Sequence, residues 1–327
     1  MYKKSHKRLA ILTSGGDAPG MNAAVRAVVR IAAFREITTL GVLKGFQGLI
    51  DNEFMELGSR SVSNIIQRGG TILKTSRSRK FETPRGLKQA ALHLQDQEID
   101  GLVVIGGNGT YRGAHDLTKF WKGQILGLPG TIDNDIYGAD FTIGYDTAVN
   151  TALEAIDKIR DTADAHERFF LIEVMGRHAG FIALDVGIGG GAEEVLIPET
   201  QSNIKEICRR LCAGKERGKT SSIMVVAEGE KQGGAFQIAE KLKKLSHNEY
   251  RVVVLGHLQR GGSPTAADRL LATELGAFAV EQFLKGKSGV ALGKVGSKLI
   301  LTPFLTAAKK KKNLNRHLLK LISQLAT

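Results

Sequence analysis

The stretch LPGTIDNDI, residues 128–136, sets Thr131, Asp133 and Asp135 within five positions behind an apolar run. In extended backbone Asp133 and Asp135 point the same way, which predicts two carboxylates at one strand end. Beside a phosphate, one such carboxylate can accept a hydroxyl proton and the other can hold Mg²⁺. A turn or cap would use Asp-Asn-Asp without any chemistry. Two glycine-rich stretches offer the phosphate cradle. VVIGGNGTY, residues 103–111, breaks from a strand-like run into Gly106, Gly107, Asn108, Gly109 and Thr110, and its glycines let backbone approach a phosphate closely. LTSGGDAPGMNAAVRAVVR, residues 12–30, turns at Gly15 and Gly16 before a helix from about Gly20, and amides at a helix start favour an anion. The latter is neither GxxxxGK[ST] nor GxGxxG. Asn108 raises its own question, because a carboxamide occupies a turn where Mg²⁺ would prefer a carboxylate.

Cationic groups recur at other strand ends. RFFLIEVMGRHAG, residues 168–180, carries Arg168 before a strand and Met175, Gly176 and Arg177 after it. VVAEGE puts Glu228 at a strand end, and YRVVVLGHLQRGGSP, residues 250–264, carries Arg251, His257 and Arg260. Guanidinium forks suit phosphates and carboxylates suit hydroxyls, so the set fits a sugar phosphate. Each arginine alone reads as a surface ion pair. Their recurrence at successive strand ends is what points to a ligand.

The elements that must position these residues alternate. Strands are predicted over 8–13, 39–42, 102–105, 125–128, 169–174, 223–227 and 251–255, and helices over 20–33, 63–67, 147–159, 204–213, 235–245 and 268–284. The pattern predicts an α/β fold of mainly parallel sheets flanked by helices. Each glycine cluster follows a predicted strand, where open α/β sheets bind ligands. No fixed repeat and no low-complexity linker interrupts the chain.

The 327 residues suffice for one large or two ordinary domains, and 42% hydrophobic with 24% charged residues is ordinary globular composition. No apolar run reaches 18 residues, so no membrane span is expected, and the apolar part of the basic N-terminus is too short for a signal peptide. A cytoplasmic protein is the expectation. A formal charge of +13 suits nucleic acid, a membrane surface or multiply anionic small molecules. Lys309–Lys312 read as a solvated basic turn before an amphipathic helix carrying Leu314, Leu318, Leu319 and Ile322; with no aromatic stacking platform, nucleic acid is not the expected partner. Cys208 and Cys212, four apart, share a helix face and read as small buried thiols.

Read in order, LTSGGDAPGMNA, RGGTIL, VVIGGNGT, LPGTIDNDI, IEVMGR and LGHLQRGGSP resemble the 6-phosphofructokinase family of bacterial type over residues 8 to about 285. NAD kinases and lipid kinases share only the GGxGT-like turn. The resemblance implies two α/β domains with the active site between them, and transfer of the γ-phosphoryl of ATP to the 1-hydroxyl of fructose 6-phosphate. It implies Asp133 as general base, with Thr131, Arg77 and Arg177 in the catalytic set. ATP positions are Gly15, Gly16, Arg77, Ser78 and Gly107 to Thr110, that is Gly107, Asn108, Gly109 and Thr110. Thr131, Ile132, Met175, Gly176, Arg177, Glu228, His257 and Arg260 fall on substrate positions. Arg168 and Arg251 fall on positions that reach the sugar's 6-phosphate from a neighbouring subunit, which implies a homotetramer.

The resemblance further implies Mg²⁺ near Asn108, where ATP-dependent members usually have Asp; Mg²⁺ needs few protein ligands beside nucleotide phosphates, and Asp135 is the nearby carboxylate expected to hold it. An effector site for ADP or phosphoenolpyruvate would use Arg26, Arg30, Arg160, Arg217 and Lys219, with Glu193 holding a metal. Ser59 and Thr220 depart from that basic pattern. Pyrophosphate-using relatives place an acidic residue at Gly109 and a lysine at Gly130, so two glycines favour ATP. A pyrophosphate-dependent enzyme and a weakened or regulatory paralogue are the alternatives. The implied division is 1–143 with 257–306 for ATP and 144–256 with 307–327 for the sugar phosphate.

Overall fold

The computed structural model describes residues 7–325; the first six residues of the basic N-terminus lie outside it. Inner strands over 8–13, 101–106 and 222–227, rich in Val, Ile and Leu, are buried on both faces as parallel sheets require, and helices intervene between strands. In chain order they are β1 (Arg8–Thr13), α1 (Met21–Phe34), β2 (Thr38–Val42), α2 (Phe46–Asp51), β3 (Phe54–Glu56), α3 (Pro84–Asp96), β4 (Gly101–Gly106), α4 (Asn108–Leu117) and β5 (Gln124–Pro129). Next come α5 (Tyr145–Ala165), β6 (Phe169–Val174), α6 (Phe181–Gly189), β7 (Glu194–Leu196), α7 (Ile204–Glu216), β8 (Ser222–Ala227), α8 (Ala235–Ser246) and β9 (Tyr250–Val254). The last are α9 (Ala266–Leu284), β10 (Val290–Val295), β11 (Lys298–Pro303), α10 (Phe304–Lys309) and α11 (Arg316–Leu325).

The chain forms two compact units. One ends its first stretch at Asp146 and resumes over Arg260–Lys312; the other takes Thr147–Gln259 and continues from Asn313. The first holds a seven-stranded sheet ordered β11-β10-β5-β4-β1-β2-β3. Its inner strands are parallel, while β3 and β11 run antiparallel at the edges. The chain moves from β1 to one side and returns at β4 on the other, so the carboxyl ends of β1 and β4 form the topological switch point where such sheets bind ligands. One face packs Leu12, Val104, Leu94, Tyr111 and Phe304 into a single core, with the Tyr111 and Phe304 rings 5.4 Å apart. On the other, α1 and α9 approach so closely that a Cβ at Gly276 would lie 2.6 Å from that of Ala27.

The second unit holds a parallel four-stranded sheet ordered β7-β8-β6-β9. Leu171, Met224 and Val226 pack against Leu211 of α7 and Leu242 of α8, and α6 packs on β8 and α11.

Seven predicted strands match β1, β2, β4, β5, β6, β8 and β9 to within one residue at each end. The helix expected over 63–67 is absent. Isolated turns replace it, with Ser63 N donating to Arg60 O and Arg68 N to Ile65 O, and Asn64 sits at φ 54°, outside the helical region. Five residues are too few to nucleate a helix without tertiary support. Helix α11 starts at Arg316, which leaves Leu314 before it.

Candidate active site

Because β5, β4 and β1 are neighbours, the turns that follow them meet in the first unit. Gly130 N donates to Gly106 O at 3.1 Å, Ser14 N to Ile105 O at 2.9 Å, and Thr110 Oγ1 to Ser14 O at 3.2 Å. Helix α4 begins at Asn108 with no side-chain cap, so its first amides are available to an anion. A Cβ added to the exposed Gly109 would meet nothing within 4 Å, so this turn opens outward. The loop carrying Arg77 is pinned on both sides: Thr75 Oγ1 donates to Gly15 O at 2.8 Å, and Ser78 Oγ to Gln47 Oε1 at 2.6 Å. Arg77 itself is exposed between these anchors. The Arg260 guanidinium lies against Gly16, and its Nη1 donates to Asp17 O at 3.2 Å.

The carboxylate stretch corrects the expectation of extended backbone. Strand β5 ends at Pro129, and Asn134 has φ 52°, so residues 131–135 form a turn rather than a continued strand. Thr142 fastens it, with Oγ1 donating to Thr131 O at 2.6 Å and N to Asn134 Oδ1 at 3.1 Å. Asp133 N donates to Thr131 Oγ1 at 3.3 Å, and Ile132 is fully buried. The carboxylates still sense each other. Burial first, then the charge of Asp133, pushes the Asp135 carboxyl up to about 6, against the pull of Asn108 and Lys312. Asn108 Nδ2 donates to Asp135 Oδ2 at 2.6 Å, while Asn108 Oδ1 is buried without a partner.

That orphaned oxygen and the Asp135 carboxylate suit a hard cation. Among the described residues no cluster of three or more His, Cys, Asp or Glu could hold a metal by itself. An ion here would take its remaining ligands from phosphates and water, as Mg²⁺ commonly does.

In the second unit, Met175, Gly176 and Arg177 follow β6, and Met175 N donates to Gln259 Oε1 at 2.8 Å. Gly176 has φ 134°, a conformation side chains rarely adopt. Glu228 follows the adjacent β8, its N donating to Val174 O at 2.9 Å, and His257 is exposed in the helical turn Gly256–Arg260. Arg168 precedes β6 and so lies at its other end, roughly 23 Å of strand from Met175. Arg251 on β9 is in register with Phe170, and Arg168 and Arg251 line one open groove of about 600 Å³. Within this unit, the expected sugar-phosphate residues thus divide into two groups at opposite ends of the sheet.

Of the expected effector residues, Glu193, Arg217 and Lys219 line a cavity of about 470 Å³ together with Arg210, Leu319 and Ile322. Glu193 accepts from Ile223 N at 2.7 Å and pairs with Lys219 at 3.4 Å. Arg160 does not line it: its guanidinium donates to Gly190 O and, at 2.9 Å, to Gly191 O. Arg26 and Arg30 lie on α1 of the first unit. Sequence reasoning passed over Gln259, which holds the Met175 turn, and Asn134, which shapes the carboxylate turn. Gln259 lies inside LGHLQRGGSP, but a local pattern does not report its full burial.

A family model described as Phosphofructokinase matches residues 8–283. The chain is 56% identical over 320 residues to the ATP-dependent 6-phosphofructokinase 1 of Thermus thermophilus, covering 98% of this chain and 99% of that one. It is 50% identical over 320 residues to the ATP-dependent 6-phosphofructokinase of Bacillus subtilis, with the same coverage. Among solved structures, phosphofructokinase from Saccharomyces cerevisiae superposes with a TM-score of 0.88 at 34% identity, over 93% of this chain and 45% of the yeast chain.

Proposed function

Since the chain belongs to the phosphofructokinase family, we propose that it transfers the γ-phosphoryl group of ATP to the 1-hydroxyl of fructose 6-phosphate, with Asp133 as the general base. The product is fructose 1,6-bisphosphate, and the reaction is a step of glycolysis. The observation that carries this reading is the 2.6 Å tie between Asn108 and Asp135, which joins the phosphate-cradling turn after β4 to the carboxylate turn after β5. Donors for a phosphate and an acceptor for a proton then stand at one switch point.

In-line phosphoryl transfer needs alignment, charge neutralisation and a proton acceptor more than covalent chemistry. Asp133 takes the hydroxyl proton as the oxygen attacks phosphorus. The first amides of α4, the Gly15–Gly16 turn and Ser78 receive the nucleotide, and Arg77 and Arg177 stabilise charge on the transferring group. Thr131 and Ile132 carry the backbone that presents Asp133. Asn108 Oδ1 and Asp135 would hold Mg²⁺, which neutralises phosphate charge when bound. Met175, Gly176, Arg177, Glu228, His257 and Arg260 are read as sugar contacts.

Arg168 and Arg251 are read as 6-phosphate ligands for a neighbouring copy. Their position at the far end of β6 supports this, since one chain cannot bring both ends of a strand to one small sugar. A homotetramer with shared sites is part of this reading. The cationic cavity beside Glu193 is read as an effector site for ADP or phosphoenolpyruvate, and calorimetric titration without heat from either removes that assignment. Among the described residues no helix is long and apolar enough to cross a membrane, and a cytoplasmic location is part of this reading.

The pyrophosphate alternative is less supported, because the similar relatives are named ATP-dependent and both donor-sensitive positions, Gly109 and Gly130, are glycine. Retention of Asp133, Arg77, Arg168, Arg177 and Arg251 speaks against a paralogue released from catalysis. A turnover assay with each donor tests the choice: product with ATP and none with pyrophosphate is expected, and the reverse overturns it.

A further inference from the structure

We propose that Lys312, from the lysine run 309–312, is a positioning residue for the carboxylate turn, fixing through Asn134 and Asp140 the backbone from which Asp133 projects. The inference rests on the reading of Asp133 as the base. Lys312 is the last residue of the first unit, and its Nζ donates to Asn134 Oδ1 at 2.9 Å and to Asp140 O at 2.6 Å. Asn134 is only 4% exposed and holds φ 52°, a conformation that Asn tolerates better than most residues but that needs support. Its Oδ1 receives both Lys312 and the Thr142 amide, and the same Thr142 holds Thr131 O. The Asn134 oxygen is therefore held on one flank of Asp133 and meets the other flank through Thr142.

The other end of the clamp is rigid. Asp140 N donates to Lys294 O at 2.9 Å, and its Oδ2 accepts from Gly296 N at 2.7 Å, which fastens it to the β10–β11 hairpin. Lys312 thus bridges the turn apex to a point already locked to the sheet. Lys310 holds the intervening segment: its Nζ lies 4.1 Å from the Tyr137 ring centroid and donates to Tyr137 OH at 2.8 Å. Lys309 and Lys311 are exposed. Two lysines of the run are thus bound to residues 134–140, so the run is not merely a solvated charge patch.

Small displacements of a reacting group are costly, so the predicted signature is a kcat effect. K312M should lower kcat about 10- to 100-fold, while KM for ATP and for fructose 6-phosphate stays within about twofold. K312R, which keeps donors in reach of both oxygens, should recover most of the loss, and K309M and K311M should match the parent. Adding K312M to N134G should cost little further kcat, because the shared acceptor is already gone. Wild-type kcat in K312M, an equal loss in K311M, or no recovery by K312R in a folded protein each overturns the inference. If K312M does not fold, N134G carries the test: it must lower kcat at unchanged KM, and an unchanged kcat overturns the inference. D133N is run alongside. Full turnover by D133N defeats the parent reading whatever Lys312 does, whereas an inactive D133N beside a fully active K312M defeats only the role of Lys312.

Discussion

At Asp135, burial and the charge of Asp133 outweigh the Asn108 hydrogen bond and the Lys312 charge, and the carboxyl is pushed up to about 6. In the unfolded chain it titrates near about 3.9, so between those pH values the folded state holds a proton that the unfolded chain lacks. Its contribution to stability is complete below about pH 4 and is lost as pH rises through about 6, on the order of 2–3 kcal/mol. Urea unfolding of the parent and of D135N at pH 4 and pH 7 should therefore differ in slope, with D135N lacking this loss. Identical pH dependence in the two proteins would contradict the assignment. Asn108 is the second test at this scale. Carboxylates at its 2.6 Å contact distance cannot both ionise without a cation between them. N108D should remain active and lower the Mg²⁺ needed for half-maximal turnover roughly tenfold; an unchanged Mg²⁺ dependence rules out this account of the site.

At the scale of elements, neighbouring glycines do different work. A Cβ at Gly130 would lie 2.7 Å from Ile105 Cγ2 and 3.1 Å from Met21 Cε, whereas one at Gly109 would meet nothing. G130A should then lose about 1–3 kcal/mol in denaturant unfolding. G109D should melt like the parent yet raise KM for ATP, because its carboxylate would face the phosphates at the start of α4. A destabilised G109D or a neutral G130A would invert these roles. This contrast also marks how far the sequence could be read. Apolar runs bounded by glycine and charge placed seven strands, and in those buried on both faces the signature is continuous. Helix α4 was invisible, because Asn108 and Gly109 are poor helix formers held in a helix by their place after β4. The pairing of Asp133 with Asp135 was legible from spacing, but its stated cause was wrong: a left-handed Asn134 replaces the extended strand. The sequence alone makes Lys312 look solvent-facing, because its partner Asn134 lies 178 residues earlier, a contact that no local pattern reports.

For the whole molecule, the decisive geometry is the length of β6. Arg168 and the Met175–Arg177 turn stand at its opposite ends, so the reading requires a second copy to complete each sugar-phosphate site. R251A and D133N should each be inactive alone, yet mixing them under conditions that exchange subunits should restore part of the turnover, since a mixed site can combine one intact Asp133 with one intact Arg251. No recovery on mixing would show that sites are built from one chain. The formal charge of +13 fits the same picture, with ATP and sugar phosphate both multiply anionic.

The claim beneath all of this is that Asp133 removes the proton from the attacking hydroxyl. Its most direct test is steady-state turnover with ATP and fructose 6-phosphate for the parent and for D133N, with substrate binding measured in parallel. The account predicts a kcat roughly 10²- to 10⁴-fold lower in D133N, with both substrates still bound. A D133N protein that turns over at the parent rate would contradict it.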